Sequence, residues 1–482
     1  MNQYKWSCVK NEIETPSSSL RFVKIYPGPF CRANMSSVYS ERLFLLAICC
    51  YHNHINMLDI RFIRENKDIV AEAAKKKHVA FNVDELIALD DTRRLLMASA
   101  ESKRAEQNAA NNGIASAISA DDRAKMIASM KAVKTELEKT ETELKEVMKS
   151  WQELMLRVPN IPDMSVPEGN SDVENKEVRV WGDKTKFDFE PKDHIELMTK
   201  LKMVDFERAA KVHGFRGYYL MGDGVKLCFA IWNYAMDFFS KRNFVPVMPP
   251  AIVRKIFLYG TGHLPGDVND FYTIQDGDVL AGTAEVPLMA MHSEEVLDSK
   301  ELPKRYLGFS PSFRREIGAH NKDVKGLIRV HEFQKFEQVI ICQANHETSV
   351  KFHEELNRNT EEFIESLGIP YHTVINCGGD LGLGQVKKYD IELWVPKEGK
   401  YREIGSASYF HDFQCRRLNI RYKDATGKLN YCHSLNATAI PTPRILVSLV
   451  ENFQQADGTI KVPEALIKYF GAFTIGNPTI GK

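Results

Sequence analysis

The sequence predicts an α+β protein in two unlike parts: an antiparallel helical hairpin, then a domain built on a largely antiparallel sheet flanked by helices. Three observations predict this. A heptad repeat runs through residues 130–158 and is preceded by a weaker helical stretch beyond a Gly-bearing reversal. Three prolines in Val158–Pro167 (VPNIPDMSVP) end the helical part and read as a linker. Beyond them, aromatic and β-branched runs are not regularly separated by helical ones, which disfavours a doubly wound parallel sheet.

The bulk composition is permissive. The chain has 482 residues, 64 basic and 64 acidic, with 44% hydrophobic residues, enough for a sizeable core. Its length suggests two to four domains. Balanced charge neither supports nor excludes nucleic-acid binding, because a local basic surface can be offset elsewhere. None of the nine cysteines forms a CxxC pair or a zinc-spaced cluster, so no zinc is expected and a reducing, cytoplasmic setting is. The apolar run Leu43–Tyr51 (LFLLAICCY) is far shorter than the roughly 20 residues that span a bilayer, so no membrane association is expected.

Residues 1–56 show no sustained period and read as an extension rather than a folded domain; an organelle transit peptide is the alternative, against which Glu12, Glu14 and Glu41 weigh mildly. Helical amphipathy starts at Met57. Residues 57–165 are expected to form the helical domain and 166–482 the second domain. In the hairpin's second leg, Met130, Val133, Leu137, Thr140, Leu144, Val147, Trp151, Leu154 and Val158 step by three and four. The first leg carries Leu86, Leu89, Leu96 and Ala100, and Gly113 marks the expected turn. Ser119 stands as an N-cap before two acids. Legs of about 35 residues would project about 50 Å at 1.5 Å per residue.

Four segments of the second domain place charge on strand-like stretches. In GTAEVPL, Thr283 and Glu285 at i and i+2 would share a strand face and could meet a substrate amine. In FRREIGAHNKDVKGLIRVHEFQKFEQV, Arg314 and Glu316 would share one strand face, with Arg329, Phe333 and Glu337 on a second. Arg suits phosphate and Phe suits a base, although a solvated surface hairpin has the same pattern. In YDIELWVPKEGKYREIGSAS, Glu403 and Ser406 at a strand end could hold Mg²⁺ on a nucleotide, or simply be exposed. In SLNATAIPTPRILVSLVENF, Asn436 and Thr438 precede a helix that starts near Pro443. Arg444 in its first turn opposes the helix dipole, which hints at an anion, while an ordinary capping region fits as well.

Taken in order, these segments resemble the class II aminoacyl-tRNA synthetases, and from Met57 to the C-terminus the chain is similar to the bacterial-type seryl enzymes. KRNFVPVMPPAIV, with Pro250, resembles the family's first motif, FRREIG…GLIRVHEFQKFE the second and NATAIPTPRILVSLVEN the third. TAEVPL and YDIELWVP…YREIGSAS resemble seryl-specific signatures, and the hairpin at 83–158 resembles the tRNA-binding arm. The resemblance implies a serine–tRNA ligase that converts L-serine and ATP to seryl-adenylate. It would then charge tRNA(Ser), and tRNA(Sec) where present, as a cytoplasmic homodimer using Mg²⁺ with ATP. It also implies roles. Arg314 would bridge the serine carboxylate and the α-phosphate. Thr283, Glu285 and Glu337 would hold the serine ammonium, and Asn436 and Thr438 the hydroxyl. Arg315, Glu316, Val330, Ile404 and Gly405 would border ATP, with Phe333 on adenine. Arg329 and Arg444 would meet the γ-phosphate, and Glu403 and Ser406 would serve Mg²⁺.

The chain departs from the family pattern in the loop AHNKDVKG, in YREIGSASYF and in residues 1–56. Its hairpin holds 12 Lys and Arg against 14 Asp and Glu, so RNA binding there would need shape and a one-sided basic face. A ligase for a carrier protein would lack the arm, and an inactive paralogue would be expected to lose Arg314, Glu403 or Arg444.

Overall fold

The computed structural model describes residues 58–116, 119–266, 268–317, 323 and 325–476. The expectations for residues 1–56, and most of the AHNKDVKG loop, lie outside the described residues.

Two short helices, α1 (Ile60–Glu65) and α2 (Lys67–Lys76), lead into two long ones, α3 (Val83–Ser116) and α4 (Ala120–Leu156). Asn82 closes the start of α3 by accepting from the Asp84 and Glu85 amides, and those two acids occupy its favourable first turn. Gly113 falls inside α3 rather than at the turn. A single helical glycine costs only about 1 kcal/mol, which the surrounding helix overrides. The reversal follows Ser116, and Ser119 stands directly before α4, as its N-cap pattern predicts. Along α4, the heptad positions Leu137, Thr140 and Trp151 are buried, as is Val158 just beyond its end, while Val133, Leu144, Val147 and Leu154 are half-buried. The polar member is satisfied: Lys103 Nζ of α3 donates to Thr140 Oγ1 at 3.0 Å and pairs with Glu136 at 2.8 Å.

At the root of the hairpin, Ile63, Val70, Leu86, Trp151, Met155 and Val158 share a core with Phe410 and Phe413 of the second domain. Each such large apolar side chain contributes about 1.5–3 kcal/mol when fully buried. Asp90, buried there, is paired with Arg64 at 3.1 Å and Arg93 at 2.7 Å, so its charge is compensated.

Along the second domain the principal elements are β1 (Lys176–Trp181), α5 (Asp223–Ser240), β2 (Val245–Val247), α6 (Ile256–Thr261), α7 (Glu285–Ala290), β3 (Lys304–Phe313), β4 (Glu332–Cys342) and α8 (His346–Leu367). Then come β5 (Tyr371–Ile375), β6 (Lys387–Val395), β7 (Lys400–His411), α9 (Phe413–Arg417), β8 (His433–Thr442) and α10 (Arg444–Asn452). The eight strands form one sheet in the order β1-β5-β6-β7-β8-β4-β3-β2. Every pairing is antiparallel except that of β2 with β3. The predicted α+β class and largely antiparallel sheet are therefore observed.

Strand alternation divides the sheet's two faces. Phe336 and Ile340 of β4 join the main core with Leu435, Ala437 and Ala439 of β8. The helix α8 covers that face. Asn345 caps it by accepting from the Thr348 amide at 2.7 Å, and Gly368 ends it with φ of +72°, a left-handed conformation that glycine adopts without steric cost. Gln338 reaches α8 through Thr360 Oγ1 at 3.0 Å. The alternate residues Phe333, Lys335 and Glu337 face the opposite side and form the floor of a cleft. Farther along that side, Val339 and Ile341 pack with Leu288 and Met289 of α7, which therefore walls the cleft at one end.

Candidate active site

The cleft, about 1190 Å³ including its open mouth, is floored by β4, β7 and β8. Asn436 and Thr438 share the inward face of β8, and Thr438 pairs in register with Glu337 of β4. Behind Thr438 the register slips: Ile440 pairs with Phe336, leaving Ala439 as an extra residue. The slip carries β8 on to Pro441, Thr442 and Pro443 along the same cleft, where α10 begins with Arg444.

A second bulge acts on β7. Gly405 pairs with Ile391 and Glu403 with Glu392, so Ile404 is unpaired. Residues at i and i+3 of a regular strand point to opposite faces. The extra residue reverses that parity, so Glu403 and Ser406 line the same cleft. They lie within the strand rather than at its end. Gly405 sits where a Cβ would come within 2.4 Å of Thr438 Cβ, so its lack of a side chain leaves room for the threonine.

Two expected strand pairs take other forms. Thr283 and Glu285 are not on a strand: Glu285 opens α7, and its amide donates to Thr283 Oγ1 at 3.3 Å. Their i, i+2 relation is used to begin a helix, and both still line the cleft. Strand β3 ends at Phe313, so Arg314 and Glu316 lie beyond it, with Glu316 at φ of +54°. Arg329 likewise precedes β4, which holds only Phe333 and Glu337 of the expected set.

Arg314 is pinned. Its amide donates to His331 O at 2.9 Å, its Nε donates to Gly282 O at 3.3 Å, and its guanidinium lies 5.4 Å from the Phe333 ring centroid. Arg444 donates from Nε to Ile328 O at 2.9 Å and from Nη1 to Glu403 O at 3.0 Å, and burial lowers its pKa from the usual arginine value. Two guanidinium groups in one cleft, neither bound to a carboxylate by hydrogen bond or ion pair among the described contacts, suit a polyanion.

Part of the lining is acidic. Glu285 and Glu337 are both buried, and desolvation raises the pKa of each carboxyl. Gln414 Nε2 donates to Glu285 Oε1 at 2.5 Å, His263 lies 3.8 Å from its other oxygen, and Lys335 is ion-paired with Glu337. Two carboxyls thus face one buried lysine, leaving room for one further cation such as a substrate ammonium.

Val330, Ile404 and Gly405 also line the cleft, as do Glu316 and Phe333. Arg329 and Arg315 do not. Arg329 pairs with Glu316 at 2.5 Å and borders an adjoining cavity that shares Glu403 and Arg444 with the cleft. Arg315 is exposed, its amide bound to Asp270 O and its guanidinium 5.7 Å from the Tyr272 ring centroid. Sequence reasoning missed Lys335, Thr261, His263 and the loop Gly382–Gln385. Lys335 carried a signal: it falls midway between Phe333 and Glu337 at period two. The turn TGH at 261–263 and the glycines around 382 carried only a weak one.

Glu403 and Ser406 supply a carboxylate and a hydroxyl on one side of the cleft, hard oxygen donors that leave positions open for phosphate oxygens, a set that fits Mg²⁺. Among the described residues no group of three or more His, Cys, Asp or Glu is arranged to hold a metal ion.

Residues 57–162 match the family described as the seryl-tRNA synthetase N-terminal domain, and residues 272–453 match the tRNA synthetase class II core domain (G, H, P, S and T). The serine–tRNA ligase of Deinococcus radiodurans is 45% identical over 416 residues, 86% of this chain and 98% of that protein. That of Thermodesulfovibrio yellowstonii is 41% identical, over 86% of this chain and 99% of that protein. Among solved structures, the seryl-tRNA synthetase of Pyrococcus horikoshii complexed with ATP is 38% identical with a TM-score of 0.79, covering 87% of this chain and 99% of that one. The cytoplasmic serine–tRNA ligase of Naegleria fowleri in complex with AMP is 32% identical with a TM-score of 0.75, covering 88% and 99%.

Proposed function

The chain belongs to the seryl-tRNA synthetase family and is a serine–tRNA ligase, and from that premise we propose how its cleft divides the work. The carrying observation is that Arg314, Phe333 and Arg444 line a single cleft together with Thr283, Glu285, Glu337, Asn436 and Thr438.

Activation joins a carboxylate to an anionic α-phosphorus, so two anions must be held together. Arg314, between the arginine and acidic ends, bridges the serine carboxylate and the α-phosphate. Its backbone and Phe333 anchors hold the guanidinium ready, so little reorganisation accompanies the reaction. Phe333 stacks on adenine. Glu316 and the backbone at Val330, Ile404 and Gly405 border the nucleotide. Arg444 meets the γ-phosphate, joined by Arg329 once it exchanges Glu316 for phosphate. Glu403 and Ser406 would hold Mg²⁺ with ATP, where the chemistry supplied would be neutralisation of phosphate charge. At the acidic end the serine ammonium supplies the missing positive charge beside Glu285 and Glu337, with Thr283 as a further acceptor. Asn436 and Thr438 bind the hydroxyl. A pocket lined by such groups rejects alanine because its own polar atoms would be left unpaired.

The arm receives tRNA(Ser), with tRNA(Sec) as a second substrate where it is present. Lys131, Lys134, Lys145 and Lys149 are all exposed on α4, and at 3.6 residues per turn they fall within roughly 60° of one another. That stripe supports phosphate contact despite the arm's acidic excess. A homodimer is supported by exposed apolar residues of the segment resembling the first motif, Val245 at 57% and Met248 at 79% exposure. Among the described residues no helix is long and apolar enough to cross a membrane; the cytoplasmic location we propose rests instead on the scattered, unclustered cysteines.

The test is serine-dependent ATP–pyrophosphate exchange by the wild type and by Arg314→Ala. Loss of a preorganised electrostatic donor lowers the rate by about 10²–10³-fold. Exchange near the wild-type rate in the variant would remove Arg314 from the reaction centre.

A further inference from the structure

Lys77 follows α2 at the root of the arm, outside both long helices, and its side chain is buried. Among the described residues no carboxylate pairs with it. Its ammonium instead donates to three backbone carbonyls, Gly382 O at 3.2 Å, Leu383 O at 3.0 Å and Gln385 O at 2.5 Å. An ammonium has three N–H donors, and all three are used. Burial pushes its pKa well below the usual lysine value, a cost that packing alone would avoid by placing an apolar side chain there.

The carbonyls belong to the loop 382–385, all four residues of which line the catalytic cleft. A second donor from the arm domain's end of the chain grips the same loop: Asn160 donates from Nδ2 to Gly384 O at 3.0 Å and to Phe410 O at 2.8 Å. The two backbones also approach closely, since a Cβ on Gly378 would come within 2.3 Å of Lys76 O. The loop lies at the amino-acid end. Gln385 Nε2 donates to Ser408 Oγ at 2.8 Å, and Ser408 pairs across the sheet with Asn436. The triphosphate end, with Glu403 and Arg444, is served by other elements.

We propose that Lys77 is a positioning residue for serine, fixing through three backbone carbonyls the loop that walls the amino-acid end of the cleft. The root of the arm is then part of the serine pocket, while the long helices beyond it are not. This rests on the assignment of the cleft as the serine and ATP site.

The experiment is Lys77→Met, which keeps most of the length of the side chain and removes its donors, read by pyrophosphate exchange over separate serine and ATP concentration series. The KM for serine should rise about tenfold, the scale of a lost charge-assisted hydrogen bond, with the KM for ATP changed less than about twofold. A residue that merely supported the fold would shift both or neither, and either result overturns the proposal. Should Lys77→Met fail to fold, Asn160→Ala must give the same serine-selective rise, and an equal effect on both substrates is again decisive against the idea. If both variants fold, their effects on serine KM should be less than additive, because they hold one loop. Arg314→Ala is assayed alongside: an active Arg314→Ala enzyme would count against the site assignment itself, whereas an inactive one with an unselective Lys77→Met counts against Lys77 alone.

Discussion

Replacing Thr438 by valine asks whether the pocket reads the serine hydroxyl. Thr438 is 6% exposed on β8, in register with Glu337 and backed by Gly405. Valine has nearly the same shape, so the steric match to Gly405 is retained. The backbone is also unaffected, since the carbonyl of Thr438 accepts from Thr360 Oγ1 at 2.8 Å independently of its own side chain. What is lost is one buried hydroxyl. With serine bound, the variant leaves the substrate hydroxyl short of one partner, at a cost of about 1–3 kcal/mol, whereas alanine has no hydroxyl to leave unpaired. The preference for serine over alanine in kcat/KM should therefore fall by about 5- to 150-fold, at about 1.4 kcal/mol per tenfold. Pyrophosphate exchange with each amino acid gives the ratio directly, and the KM for ATP should stay constant because Arg314, Phe333 and Arg444 are untouched. An unchanged serine-to-alanine ratio would refute the reasoning and move hydroxyl recognition to Glu337 and Thr283.

Replacing residues 90–150 by a short loop should leave serine activation intact and abolish tRNA charging; charging at the wild-type rate would show that the arm does not bind tRNA. A chain beginning at Met57 should fold, dimerise and charge tRNA at full rate, as scored by sedimentation and aminoacylation, and a loss of either would make residues 1–56 part of the enzyme. His353 is buried against the Tyr389 ring with its pKa lowered to about 4, so the unfolded chain binds the proton first as pH drops below its ordinary value of 6.5. The stability of the neutral ring is full above that value and is lost towards pH 4, by about 2 kcal/mol at pH 5. In urea titrations the advantage of wild type over His353→Phe should shrink by that amount between pH 7 and pH 5, and parallel curves would contradict the assignment.

Much of this site was legible because its residues recur at short spacings. Phe333 and Glu337 on one strand, Asn436 and Thr438 on another, and Arg444 at a helix start were all found where period two and proline placed them. The errors share a cause. Period two assumes a regular ladder, so it cannot show that Ile404 is unpaired, and Glu403 and Ser406 were put at a strand end. It also cannot separate a strand face from the first residues of a helix, and Thr283 and Glu285 were misread for that reason. Composition marks Gly113 as the turn because glycine signals flexibility, whereas the helical context decides its conformation. The residues missed altogether depend on long-range proximity: Lys77 meets its loop across 305 positions of sequence, and nothing in either segment announces the other.

The unpaired Ile404 has a consequence for how such a strand can change over time. Because it sets the phase of everything after it, removing one residue between Glu403 and Ser406 would turn the inward side of β7 outward from there to His411. Substitutions at these positions alter a single side chain, but a change of length would carry Ser406 away from the nucleotide and Ser408 away from Gln385 in one step. A library of single-residue deletions should therefore give survival near zero across 403–406. Length, more than side-chain identity, would be the inherited quantity held constant in this strand.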